Sequence, residues 1–228
     1  MAPGGPGWRD IDWRRPWLAP YVDVAAPVLQ LLGQGDSVAA ALDSAGREVR
    51  FVRQAELPEG EAYEAFIRRT GRVPTRDNLH DLFNGLVWLR FPLLKRRLNE
   101  LHAAQIAAEG IASQRGPVRD ALTLFDENGA WWQAPGELVQ ALQRRDWHAL
   151  FVTHRARWPQ ARLTLVGHAL MEKLVRPRKA ITAHLWASPD DVGDAGGITS
   201  ASWAAKPFLP LPVLGVPGWW PANENAGF

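Results

Sequence analysis

The sequence contains no cysteine. That excludes disulfides, thiolate metal ligands and a cysteine nucleophile, and it fits a reducing compartment. Any metal centre must then be built from His, Asp and Glu. No apolar run approaches the roughly 20 residues of a membrane span, so no membrane insertion is expected. The start, MAPGGPGWRDIDW, lacks the basic-then-apolar order of a secretory signal, which points to the cytoplasm. Strong charge of one sign is missing as well. Twenty-six Lys and Arg against 24 Asp and Glu leave +2, which names no partner.

The familiar catalytic signatures are absent too. There is no Gly-x-Ser-x-Gly elbow and no phosphate loop ending in Gly-Lys-Ser/Thr, and Gly33-Gln-Gly35 is not continued by a third glycine. His80-Asp81 is the signature dipeptide of a class of metal phosphohydrolases, but these need an upstream His and His80 is the first in the chain. His168-Ala-Leu-Met-Glu172 does not have the order of a zinc-protease helix. Asp126-Glu-Asn-Gly opens like a calcium loop, yet Trp131 falls where that loop requires glycine.

What is present is a globular composition, 46% hydrophobic and 22% charged over 228 residues, with an unusual 12 tryptophans. One domain burying about 70–75% of its unfolded surface is expected. Residues 1–20, rich in Pro and Gly, read as an extended arm anchored by Trp13 and Trp17. Residues 21–187 read as the globular domain, and residues 188–228 as a Pro/Gly-rich wrapping tail.

The chain is organised around Pro74 to Asn99. Leu79, Leu82, Phe83 and Leu86 share one arc of a helix capped by Thr75 or Asp77. The opposite arc, expected to face water as a lined groove, carries Asp77, His80, Asp81, Asn84 and Trp88. Pro92 breaks this helix at Phe91, and a second runs to about Gly110, with Lys95, Asn99 and His102 on one stripe that can converge on the first. Elsewhere, Pro27 to Leu42 reads as two short helices divided by Gly-Gln-Gly, the second capped by Asp36 or Ser37. Arg47–Val52 reads as a strand and Glu61–Thr70 as a helix closed by Gly71. Leu122 to Phe125 alternates and is followed by Asn128-Gly129, so it reads as a strand with a hairpin turn. Pro135 to Trp158 and Leu163 to Val175 read as helical. Ala180 to Trp186 reads as a strand with His184 on its more polar face.

Chemistry is expected where His80, Asp81, Asp126, Glu127, His168, Glu172 and His184 meet. His168 and Glu172, four apart on a helix, can share an ion or form an acid–base pair, or simply make a surface contact. A His in the position of His184 is more often a satisfied core or semi-exposed residue than a ligand.

The run PTRDNLHDLFNGLVWLRFPLLKRRLN, then RDALTLFDENG, GHALMEK and the tail LGVPGWWPAN, resembles a bacterial family catalogued as domain of unknown function 3025, from Trp8 to Asn223. The resemblance implies a proteobacterial-type intracellular protein and brings no activity, mechanism or cofactor with it.

The expected fold is a mainly helical α+β single domain with a small β-sheet, formed by the Leu122 and Ile181 strands, and extended wrapping termini. The expected function is a small-molecule or metal-dependent enzyme with a His/Asp/Asn-lined pocket; its cofactor is unknown, a divalent metal being one candidate. His80, Asp81, Asn84, His168 and Glu172 are the catalytic candidates. His80, Asp126, His168 and His184 are the metal candidates, and Trp88, Lys95, Asn99 and Arg119 the substrate or anion contacts. The alternative is a non-catalytic binding or scaffold protein, in which the same polar groups form a fixed network. In that case Arg90, Lys95–Arg97, Arg144, Arg145, Arg155, Arg157, Arg176, Arg178 and Lys179, interleaved with Trp88, Trp147 and Trp158, could receive nucleic acid or another polyanion.

Overall fold

The structure, a computed structural model, describes residues 7–46, 48–110, 116–192, 194–195 and 197–225. The first six residues of the expected arm, Arg47 of the expected strand and the start of the 111–116 loop lie outside these. In chain order the elements are α1 (Val22–Gln34), α2 (Val38–Ala45), β1 (Arg50–Arg53), α3 (Tyr63–Thr70), β2 (Arg72–Thr75), α4 (Leu79–Arg90) and α5 (Pro92–Glu109). There follow α6 (Pro117–Asn128), β3 (Gly129–Gln133), α7 (Gly136–Gln143), β4 (Arg162–Leu165), α8 (His168–Lys173), β5 (Thr182–Ala187), α9 (Ser200–Trp203) and β6 (Leu209–Pro212).

The helix pair α4–α5 forms as its residues dictate. Pro92 occupies the first position of α5, where its missing amide costs nothing, and Phe91 between the helices takes a non-helical φ of −129° and ψ of 62°. The cap is Asn78 rather than Thr75 or Asp77: its side chain accepts from the Asp81 amide at 2.7 Å. Asp77 caps a neighbour instead, accepting from the Val38 amide at the start of α2. Changing Asn78 to Ala should lower unfolding free energy by about 1 kcal/mol, read by urea titration; an unchanged midpoint would mean that the cap adds nothing.

Two readings of local structure are corrected. Leu122 to Phe125 is helical, because Val118, Ala121, Leu122 and Phe125 recur at helical spacing and all are buried, and Pro117 starts the helix. Asn128-Gly129 makes no hairpin, since Gly129 has φ of −77° and passes straight into β3. Leu163 to Leu165, expected to begin a helix, belong instead to β4, and helix α8 starts only after Gly167.

The sheet therefore differs from the one expected. Its order is β4-β3-β5-β6, with β3 and β5 parallel and both edge pairs antiparallel, and a separate parallel pair joins β1 and β2. The Pro-rich tail supplies edge strand β6, as well as the short helix α9. Residues 7–20 hold 3₁₀ turns at Trp8–Asp10 and from Pro16 to Tyr21, where Trp17 is buried and Trp13 packs against the core. Successive residues of the central strand point to opposite faces: Trp131 enters the large core shared with α4, α6 and α8, and Trp132 a smaller one with Leu138, Leu142 and Trp158. Among the described residues no helix is long and apolar enough to cross a membrane. The whole is a mainly helical α+β domain.

Candidate metal centre

Three helix ends converge beside the large core. The Asn78 cap sets the first turn of α4 and with it His80. The last turn of α6 carries Asp126 and Glu127. Gly167 approaches the start of β3 so closely that its amide donates to the Gly129 carbonyl at 2.9 Å, which brings His168, the first residue of α8, beside that turn.

The two imidazoles then face each other, Nε2 to Nε2 at 3.0 Å, with ring planes 77° apart. Glu127 stands over both, its carboxylate oxygens 3.6 Å from His168 Nε2 and 4.0 Å from His80 Nε2. One donor atom each from His80, Glu127 and His168 lies within 4.8 Å of the others. Two nitrogens about 2.1 Å from one ion lie about 3.0 Å apart when they subtend a right angle at it, so the pair has the spacing of two metal ligands. Glu172, one turn along α8, turns back to His80 Nδ1 at 3.2 Å, the outer carboxylate contact that fixes a ligating histidine with Nε2 inward.

Electrostatics leaves the His168 ring with an open lone pair. Burial pushes His168 down to about 3, against the pull of Asp126, so its ring is neutral. Burial raises Glu127, with His80 opposing and Asp126 adding to the rise. Burial would raise Asp126 also, but Lys95 and His168 hold it below the ordinary carboxylate value.

Next to this cluster is a cavity of about 290 Å³. His80, Asp81, Asn84 and Trp88 of α4 border it, as do Lys95 and Asn99 of α5, Asp126 and His168. The α4 arc thus faces a cavity and not bulk water, and Asp81, Asn84 and Trp88 are buried. Lys95 Nζ donates to Asp126 Oδ1 at 2.6 Å and to Asn84 Oδ1 at 2.7 Å, and Asn84 Nδ2 donates to the Tyr63 hydroxyl at 3.0 Å. Asp81 accepts from the Arg76 amide and guanidinium, and Asn99 donates to the Glu64 carbonyl. Two expected residues stand apart. His184 lies half-buried on β5 and Arg119 is buried on α6, and neither borders the cavity.

Sequence reasoning placed Asp126 in the metal set where the geometry offers Glu127, and it missed Tyr63 and Arg76. Tyr63 carries no motif signal, whereas Glu127 was already in the expected constellation and differs from Asp126 in facing both imidazoles.

Comparison with curated proteins gives no match, and comparison with solved structures gives none either. Residues 49–228 match the family described as Protein of unknown function (DUF3025), so the resemblance extends less far toward the N-terminus than Trp8. That stretch holds both helices of the cavity, the Asp126-Glu127 turn and the Gly167-His168 start of α8, and by that match the chain belongs to the DUF3025 family.

Proposed function

We propose that the protein is a divalent-metal-dependent enzyme acting on a small molecule in this cavity, with His80, His168 and Glu127 as the metal ligands. The observation that carries this reading is the opposed pair of Nε2 atoms under one carboxylate, next to a cavity. Two histidines and a carboxylate leave coordination positions for water and substrate, the arrangement of catalytic rather than structural sites. The ion would supply Lewis acidity or a water of lowered pKa. Glu172 orients His80, and Asn84 and Asp126 hold Lys95 at the cavity wall. Arg76 covers the Asp81 carboxylate, so Asp81 orders the start of α4.

Elemental analysis tests the reading: the full chain, loaded in turn with Mn²⁺, Fe²⁺ and Zn²⁺ and desalted, should retain about one ion of at least one of them. Retention of none at a tenth of an equivalent or more would sink it. Glu172→Gln should keep that stoichiometry while weakening affinity about 10–100-fold in a chelator competition, as loss of an outer carboxylate does. An unchanged affinity would mean that Glu172 does not act through His80.

A second reading, a non-catalytic binding protein, draws support from the hydrogen-bonded run Tyr63–Asn84–Lys95–Asp126, which ties α3, α4, α5 and α6 together. It predicts stability loss without metal in the same experiment. A polyanion surface has less behind it. Arg90, Arg96, Arg155 and Arg157 each pair with a carboxylate, and Trp88 and Trp158 are buried where stacking on bases would need them exposed.

A further inference from the structure

The wall of the cavity away from His80 and His168 holds more hydrogen-bond donors than the protein uses. Lys95 is 4% exposed and has three N–H donors, of which Asn84 and Asp126 take two. Tyr63 accepts from Asn84, but its own O–H has no acceptor among the described residues. Burial raises its pKa, so it keeps that proton. His102 is 6% exposed, borders the same cavity, and its Nδ1 is buried without a partner.

Behind these groups lies an uncompensated charge. Arg119, on α6, is 8% exposed; its Nε is buried without a hydrogen bond, and no carboxylate pairs with its guanidinium among the described residues. A buried cation without a counter-ion is costly. Burial, together with Arg119 and Lys95, lowers the pKa of His102 despite Glu64 and Asp126, so that ring is neutral and the positive charge on this side stays on Lys95 and Arg119.

The apolar part of the lining comes from Leu57, Ile67, Trp88 and Leu98. We propose that the cavity takes a small organic carboxylate, its carboxylate group held by Lys95, Tyr63 and His102 in the field of Arg119, and its carbon skeleton against Trp88 and Ile67. Only the orientation, with the reacting end toward His80 and His168, rests on the metal reading. The carboxylate contact rests on the α3 and α5 residues alone. One feature opposes it: Glu64 also borders the cavity and no cation pairs with its carboxylate among the described residues, so a ligand amine is the rival to be tested.

The test is calorimetry on the full chain, loaded with Co²⁺ and metal-free. Acetate, succinate and benzoate are titrated beside acetamide, succinamide, benzamide and 1,4-diaminobutane. At least one carboxylate should bind ten or more times tighter than its own amide and than the diamine. Tyr63→Phe and Lys95→Met should each weaken that carboxylate tenfold or more and leave the cobalt stoichiometry unchanged. Lys95 is buried, so its variant can fail to fold. Tyr63→Phe removes one half-buried oxygen and then decides alone. Equal binding of acid and amide, preference for the diamine, no binding at all, or unaltered carboxylate affinity in a folded variant each overturns the inference. Should the wild-type chain take up no cobalt, the acid–amide comparison on the metal-free chain still sustains or overturns the carboxylate site, while the metal reading stands or falls on the Mn²⁺, Fe²⁺ and Zn²⁺ loading.

Discussion

Replacing His168 by Ala is expected to remove bound metal almost entirely, from about one ion per chain to below a tenth, with an affinity loss of at least ~100-fold. The neutral ring contributes an Nε2 that no backbone group or water path can replace, since it is 4% exposed and packed at the start of α8. His80→Ala should act alike, because the two Nε2 atoms stand 3.0 Å apart and one alone makes no chelate. His184→Ala is the control. It lies on β5, outside the cavity, and should leave metal content unchanged. Elemental analysis of the three variants after identical loading decides the matter. Full metal content in His168→Ala would remove the centre as described, whatever the variant does to stability.

A large stability effect is expected from Gly167→Ala. Gly167 has φ of −71°, open to any residue, so the constraint is space and not conformation. A Cβ there would lie 2.5 Å from the Gly129 nitrogen and 2.6 Å from Asn128 Cα. Those are backbone atoms at the junction of α6 and β3, and they cannot turn aside as a side chain end can. Overpacking of this kind costs about 3 kcal/mol. Because the same junction carries Glu127 and the displaced residue precedes His168, metal affinity should fall along with the urea midpoint. Gly136→Ala provides the contrast. A Cβ at Gly136 meets nothing within 4 Å at the start of α7, and the change should stabilise by about 0.5 kcal/mol. Equal midpoints for the two variants would rule out the close approach as a determinant of the fold.

The α4–α5 pair was legible in the sequence because its signals are local: an apolar arc of period 3.6, a proline at the break, and Gly110 with φ of 73° at the end. The convergence of Lys95 and Asn99 on His80 and Asn84 followed from that periodicity. Where local signals conflicted, the reading failed. In α6, Leu122 to Phe125 satisfies alternation over four residues, while Val118, Ala121, Leu122 and Phe125 satisfy a helix over eight, and burial chose the longer pattern. That misreading had a cost at the site. On a strand, Asp126 and Glu127 would point to opposite faces, whereas on the last turn of α6 both face His168, at 3.9 and 3.6 Å. Strand β6 was illegible because its Leu209-Pro-Leu-Pro sequence can pair on one side only, an edge position that only the neighbouring β5 defines. Tyr63 joins the cavity purely through the packing of α3 on α5, and nothing in its neighbours announces this.

The parallel pairing of β3 with β5 bears on how the molecule is made. Parallel strands need a crossover, and here the crossover contains α7, β4 and α8, so His168 is carried within the loop that must close before the sheet exists. His80 and His168 are 88 positions apart in the chain. Contacts of that separation form after the local helices, because the entropy of closing a long loop has to be met before any pairing compensates for it. The helices that present His80 and Lys95 can therefore exist early, with the face that becomes the centre still open. A cation caught between α4 and α8 would then act as a clasp on the slowest closure of the chain, and the lifetime of the folded protein would depend on that ion.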